Sequence, residues 1–174
     1  MHQNEKARVG YYKLLVDPWN ISVELTANKR SGWHRYRYPK NQQARLMVDL
    51  AHILQPNWGH KLVDSELSII DPYTLQGHRY TSGWAKDDPV WFYCKFNKPI
   101  LSHDFSNGEI SSANQKSVSS EKGVVAYLNF GTLKEPLEVQ VAISAVDQKG
   151  AKNNLMQASN GLNFDSVVKQ TQDR

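Results

Sequence analysis

Apolar and polar positions alternate along most of this 174-residue chain. The runs "YYKLLVD" (11–17), "ISVELTA" (21–27), "WHRYRY" (33–38) and "RLMVDLAH" (45–52) are short and rich in β-branched or aromatic residues. They are bounded by turn formers: Asp17-Pro18-Trp19-Asn20, Asn28 to Gly32, and Pro39-Lys40-Asn41. A period of two with such punctuation predicts strands, because successive side chains of an extended backbone point to opposite faces. The series continues through "ELSIID" (66–71), "TLQGHRY" (74–80), "VWFYCKF" (90–96), "ILSHDF" (100–105), "VVAYLNF" (124–130) and "LEVQVAISAV" (137–146). About ten strands with no helical period between them predict an all-β fold, an antiparallel sandwich of two sheets or a barrel.

Two stretches depart from this pattern. Residues 106–123, "SNGEISSANQKSVSSEKG", are polar, lack aromatics and predict a surface loop or a mobile hairpin tip. After Val146 the period changes to that of a helix. Asp147 is a candidate N-cap, Ala151, Leu155 and Ala158 share one helical face, and Asn160-Gly161 is a stop. A second helix follows, with Phe164, Val167, Val168 and Thr171 at helical spacing and Asp165 in its first turn. We therefore expect a β-sandwich domain over 1–147 and a helical segment over 148–174. An amphipathic helix that ends mid-pattern, with no partner after it, leads us to expect the front part of a longer protein.

Composition narrows the classes. A chain 40% hydrophobic and 22% charged is ordinary for a folded domain. No apolar run approaches the roughly 18 residues that cross a bilayer, so no membrane insertion is expected. "MHQNEKARVG" has no apolar core of a signal peptide. The lone Cys94 excludes an intrachain disulfide and, within "VWFYCKF", reads as a buried, inert thiol.

The net charge of +4 permits an acidic partner. Its concentration among aromatics in "ELTANKRSGWHRYRYP" (24–39) suggests a single-strand nucleic-acid surface, where cations track phosphates and rings stack bases. Strand geometry argues against it. Trp33, Arg35 and Arg37 take one face and His34, Tyr36 and Tyr38 the other, so cations and tyrosines are segregated. No nucleic-acid partner is expected.

Candidate chemistry is sparse. No two histidines stand at i, i+2 or i, i+4, and His103-Asp104 reads as a solvated turn rather than a pair of metal ligands. The stretch "GHRYTSGWAKDD" (77–88) is more informative. A glycine-flanked loop projecting Trp84 beside Lys86, Asp87 and Asp88 can stack on a sugar ring and hydrogen-bond its hydroxyls; alternatively Trp84 plugs an edge of the core. Asp64, Glu66, Asp71, Asp87 and Asp88 are candidates for an acid–base carboxylate pair, but nothing in the sequence singles out two of them. With no nucleophile elbow and no phosphate-binding glycine loop, the residues describe a sandwich without a self-contained active site.

The order of "NEKARVGYYKLLV", "ISVELTANKRSGWHRYRYP", "LMVDLAH", "LQGHRYTSGWAKDDPVWFYCKF", "AYLNF" and "VQVAISAVDQKGAKNNL" resembles the N-terminal domain of the glycoside hydrolase family 92 α-mannosidases. The resemblance covers nearly the whole chain. It departs at Val9, where the family usually has proline, and at Trp33, where a smaller or different hydrophobe is more common. It implies an antiparallel two-sheet, supersandwich-like domain joined by one or two short helices to an (α/α) barrel. It also implies a calcium-dependent, inverting exo-α-mannosidase acting on mannans or N-glycans, often at α-1,2 links, whose catalytic carboxylates and calcium ligands lie in the barrel.

On that reading this chain alone is inactive, binds no metal, supports its own C-terminal helical catalytic domain and lends side chains to a mannose-containing glycan. The candidates are Trp84, Lys86 and Asp87, then Trp33, His34 and Arg35. A periplasmic or extracellular, bacterial location is implied by the family. The alternative is a free-standing carbohydrate-binding module.

Overall fold

A computed structural model of the chain describes residues 4–54, 56–107, 111–113 (backbone only) and 115–173. The alternating runs become strands that pair antiparallel throughout. β1 (Glu5–Arg8), β2 (Tyr11–Val16), β3 (Ile21–Ala27) and β4 (Ser31–Arg37) form one meander. β5 (Gln43–Asp49) leaves for a second sheet, and a 3₁₀ turn at Pro56–Trp58 leads back to a second meander of β6 (Lys61–Asp71), β7 (Thr74–Ser82) and β8 (Asp88–Phe96). β9 (Ser102–Ser106), β10 (Ser111–Ala113) and β12 (Val125–Thr132) join β5, while β11 (Ser117–Ser119) pairs with β6 and β13 (Leu137–Ser144) inserts between β4 and β8. The result is a nine-stranded sheet, β1-β2-β3-β4-β13-β8-β7-β6-β11, over a four-stranded one, β10-β9-β12-β5. It is the expected two-sheet sandwich, not a barrel.

The stretch 106–123, expected as a surface loop or a mobile hairpin tip, carries strands as well. Two short strands, β10 and β11, lie within it, each pairing with a sheet edge; residues 108–110 and 114 of that stretch lie outside the described residues. β1, likewise an edge strand, was also not anticipated. Edge strands of serine and charge present no apolar face, so they leave no period-two signal.

Alternation decides which side chains fill the space between the sheets. Ala126, Leu128 and Phe130 of β12 and Phe105 of β9 meet Leu67, Leu75, Phe92, Cys94, Phe96, Leu137 and Val139 of the large sheet. All are under a tenth exposed, and each large apolar side chain so buried contributes about 1.5–3 kcal/mol.

The opposite face of the large sheet is covered by the two helices. Asp147 caps α1 (Gln148–Ala158) by accepting from the Gly150 amide at 2.5 Å, and Ala151 and Leu155 pack on Tyr93 and Ala142. Asn163 caps α2 (Phe164–Gln172) in a reciprocal box with Ser166, and Phe164, Val167 and Val168 pack on Trp33. The large sheet is therefore buried on both faces along its centre, with β4 and β13 carrying one core on each side.

Candidate functional site

The turn before β4 is built by Asn28. Its side-chain oxygen accepts from the Arg30 and Ser31 amides and the Ser31 hydroxyl at 3.0–3.1 Å, while its amide nitrogen donates to Ala158 at the end of α1. Ser31 Oγ in turn accepts from Trp33 Nε1 at 2.9 Å. Trp33 is 1% exposed, fully enclosed by α2. Two residues on, Arg35 lies on the same face. Its Nε donates to Glu138 at 2.7 Å, its two Nη donate to the Asp165 carboxylate at 2.9 Å each, and its guanidinium sits 4.2 Å from the Phe164 ring centre. A bidentate fork on a planar cation is among the stronger polar contacts available. The Arg35 hydrogen bond holds the Asp165 carboxyl below the usual carboxylate range. Arg37 pairs with Glu24, which also accepts from Tyr11. The basic residues that suggested nucleic acid thus include two locked into ion pairs, one of them beneath a helix.

His34 takes the other face. Burial pushes its pKa down, and its Nδ1 lies 2.8 Å from the Tyr36 hydroxyl. It lines an apolar cleft of about 530 Å³ between the sheets, beside β5, together with Met47, Arg79 and Cys94. The Cys94 thiol is pushed up to about 12 by burial, so it is protonated at neutral pH.

Trp84 contrasts with Trp33. It is 86% exposed at the tip of the β7–β8 loop. Gly83 lets the loop approach His60, the residue before β6: a Cβ there would lie 2.9 Å from the His60 ring. The His60 ring meets Trp84 edge-on at 6.4 Å, and Trp58 lies nearly parallel to Trp84, 12° apart with ring centres at 6.4 Å. Lys86 and Asp87 are exposed in the same loop, and Asp87 lines a small cleft of about 250 Å³ with Asp88, Tyr80 and Thr81.

Of the carboxylates, β-register brings two together. Asp64 and Glu66 stand opposite Tyr80 and His78. His78 Nε2 lies 2.8 Å from Asp64 and its Nδ1 4.0 Å from Glu66, and the Ser68 and Ser117 hydroxyls donate to Glu66. Asp71 pairs with Thr74 at the far end of that hairpin. His103-Asp104 is not a turn but part of β9, where neighbours point to opposite faces; His103 Nε2 lies 2.7 Å from the Gln115 carbonyl.

Residues 1–144 match the family model described as the glycosyl hydrolase family 92 N-terminal domain. The chain belongs to this family. It superposes on a family GH92 α-mannosidase from Bacteroides thetaiotaomicron with a TM-score of 0.89 at 26% identity, over 99% of this chain and 24% of that one. The structure of that mannosidase in complex with mannoimidazole gives 0.88 at 26% identity, over 99% and 23%. A family GH92 inverting mannosidase from Bacteroides thetaiotaomicron VPI-5482 gives 0.84 at 20% identity, over 99% and 22%, a likeness of fold alone. This GH92 domain therefore spans about a quarter of the length of the solved enzymes. Among curated proteins no relative matches.

Among the described residues no three His, Cys, Asp or Glu side chains come together as a set able to hold a metal ion. Trp58 and His60 are the neighbours of Trp84 that sequence reasoning missed. They precede β6 while Trp84 follows β7, and the pairing of Lys61 with Ser82 brings both segments to the open end of the hairpin; a contact across a hairpin leaves no local signal.

Proposed function

We propose that this chain is the non-catalytic N-terminal domain of a calcium-dependent, inverting exo-α-mannosidase that cleaves α-1,2-mannosidic bonds in mannans or N-glycans. The barrel that supplies the acid, the base and the calcium ligands lies outside these residues, and the enzyme works in a periplasm or outside the cell. One observation carries the reading: a likeness to α-mannosidases that runs through 99% of this chain yet reaches only 24% of theirs. The described carboxylates support the non-catalytic role, since Asp64 and Glu66 close on one imidazole instead of flanking an open bond.

Trp84, Lys86 and Asp87 form the sugar-facing loop. Trp33 and Arg35 act from beneath α2 by fixing β4, and His34 lines the cleft on the opposite face.

The test is hydrolysis of α-1,2-mannobiose by the complete native protein. Release of β-mannose, loss of activity on chelation and its return with calcium are expected, with no turnover by residues 1–174 alone. Turnover by the isolated chain that a carboxylate substitution inside it abolishes would overturn the non-catalytic role. A free-standing carbohydrate-binding module is the second reading, favoured by the exposed Trp84. It requires mannoside binding by a native protein without hydrolysis.

A further inference from the structure

Trp58 and Trp84 are among the most exposed large apolar side chains described, at 62% and 86%. They come from different segments and are brought side by side. Trp58 ends the 3₁₀ turn, which Gly59 closes by donating to the Pro56 carbonyl at 3.2 Å from a backbone at φ +80°. Trp84 follows Gly83, whose amide donates to the Ala85 carbonyl at 2.9 Å. His60 wedges edge-on against Trp84 and contacts the bare Gly83 backbone.

Two indoles standing together form a contiguous exposed apolar patch, the kind that marks a contact site where scattered single side chains do not. Two further features narrow the contact. The rings are stacked, within 12° of parallel with centres 6.4 Å apart, so the pair turns a flat indole face outward. The loop that carries Trp84 also carries an exposed ammonium and an exposed carboxylate, Lys86 and Asp87, and Asp87 and Asp88 line a small cleft. A pyranose matches this: its axial C–H face lies on an aromatic plane and its equatorial hydroxyls, both donors and acceptors, meet charged groups at the rim.

We infer that Trp58 and Trp84 together form a two-indole platform that holds a hexopyranose unit of a mannose polymer, with Lys86 and Asp87 as its polar rim. Trp58 is the new element. The inference deepens the mannoside reading above and rests on it for the identity of the sugar. The platform holds a sugar of the chain and takes no part in bond cleavage.

The test is affinity electrophoresis of the native protein through gels containing soluble α-mannan, at 4 °C, for wild type, W58A, W84A and W58A/W84A. Retardation of the wild type is expected, with at least a threefold fall in each single variant and little further fall in the double, since one ring cannot replace the pair. W58F retains most of the retardation. Wild-type mobility indifferent to mannan overturns the inference, as does equal retardation of wild type and W58A. A lowered Tm or altered oligomeric state in W58A with unchanged retardation overturns it in favour of a protein-packing role.

Hydrolysis of an aryl α-mannoside, measured on the same samples, separates the two readings. Tryptophan-dependent retention without hydrolysis keeps the platform and removes the mannosidase; hydrolysis with tryptophan-independent retention does the reverse.

Discussion

The chain contains two Gly-Trp pairs, Gly32-Trp33 and Gly83-Trp84, both in segments that carry the family resemblance, and the fold treats them oppositely. Trp33 is 1% exposed and Trp84 86%. Trp33 lies mid-strand on a central strand, on the face that α2 covers, so its indole joins Phe164 and Val167 in a core and its Nε1 finds Ser31. Trp84 lies at a loop tip, its ring against those of His60 and Trp58. A side chain's type sets how much it gains from burial; whether an element arrives to bury it is settled elsewhere in the chain. The first region is buried by an arriving helix, and the second is left exposed by the described residues.

Substitutions should separate the two regions by size of effect. Trp33→Ala leaves a hole in a sealed core and is expected to cost about 3–5 kcal/mol in chemical denaturation; a loss below about 1.5 would mean that α2 is not a firm part of the fold. Arg35→Met keeps an apolar stem over Phe164 and removes the ion pairs. Because Asp165 remains largely in water, the expected loss is about 1–2 kcal/mol.

That second loss depends on pH with a definite sign. The Asp165 carboxyl has a lowered pKa in the folded state, so its contribution is present above the unfolded value of about 3.9 and is lost as pH falls through the folded one. The gap between wild type and Arg35→Met should be full at neutral pH and close in acid. A gap that widens in acid would show that Asp165 is not the partner that matters.

Smaller effects belong to the exposed region. Gly83→Ala pushes on a His60 ring that can move, so stability should fall by no more than about 1 kcal/mol, while the near-UV circular dichroism of the indole pair changes. An unchanged spectrum would mean that Gly83 does not set the Trp58–Trp84 geometry. Trp84→Ala should alter stability by less than about 0.5 kcal/mol. A larger loss would make Trp84 a plug of the core edge and erase the contrast with Trp33.

Much of the fold was legible because burial imposes a period. In β12 Ala126, Leu128 and Phe130 alternate with Tyr127 and Asn129, and the structure buries the first three and leaves Tyr127 exposed. The caps at Asp147 and Asn163 open helices where the period changes. β1, β10 and β11 were not legible, since polar edge strands are held by backbone pairing that any sequence can make. The Trp84 loop stood out through its glycine and charges, whereas Trp58 did not, because its partner is set by how a hairpin folds back.

By itself the sequence determined an all-β chain closed by two helices, the first opened by an Asp147 cap, and the segregation of Trp33, Arg35 and Arg37 from His34, Tyr36 and Tyr38 across β4. These follow from local rules, the two-residue pleat and the orphan amides at a helix start. Only the tertiary structure decided which face of β4 meets the small sheet and which the helices. It likewise decided that Arg35 would reach Asp165 and that two distant tryptophans would stand parallel in water. Those outcomes depend on contacts between segments far apart in the chain, whose energies no local pattern encodes.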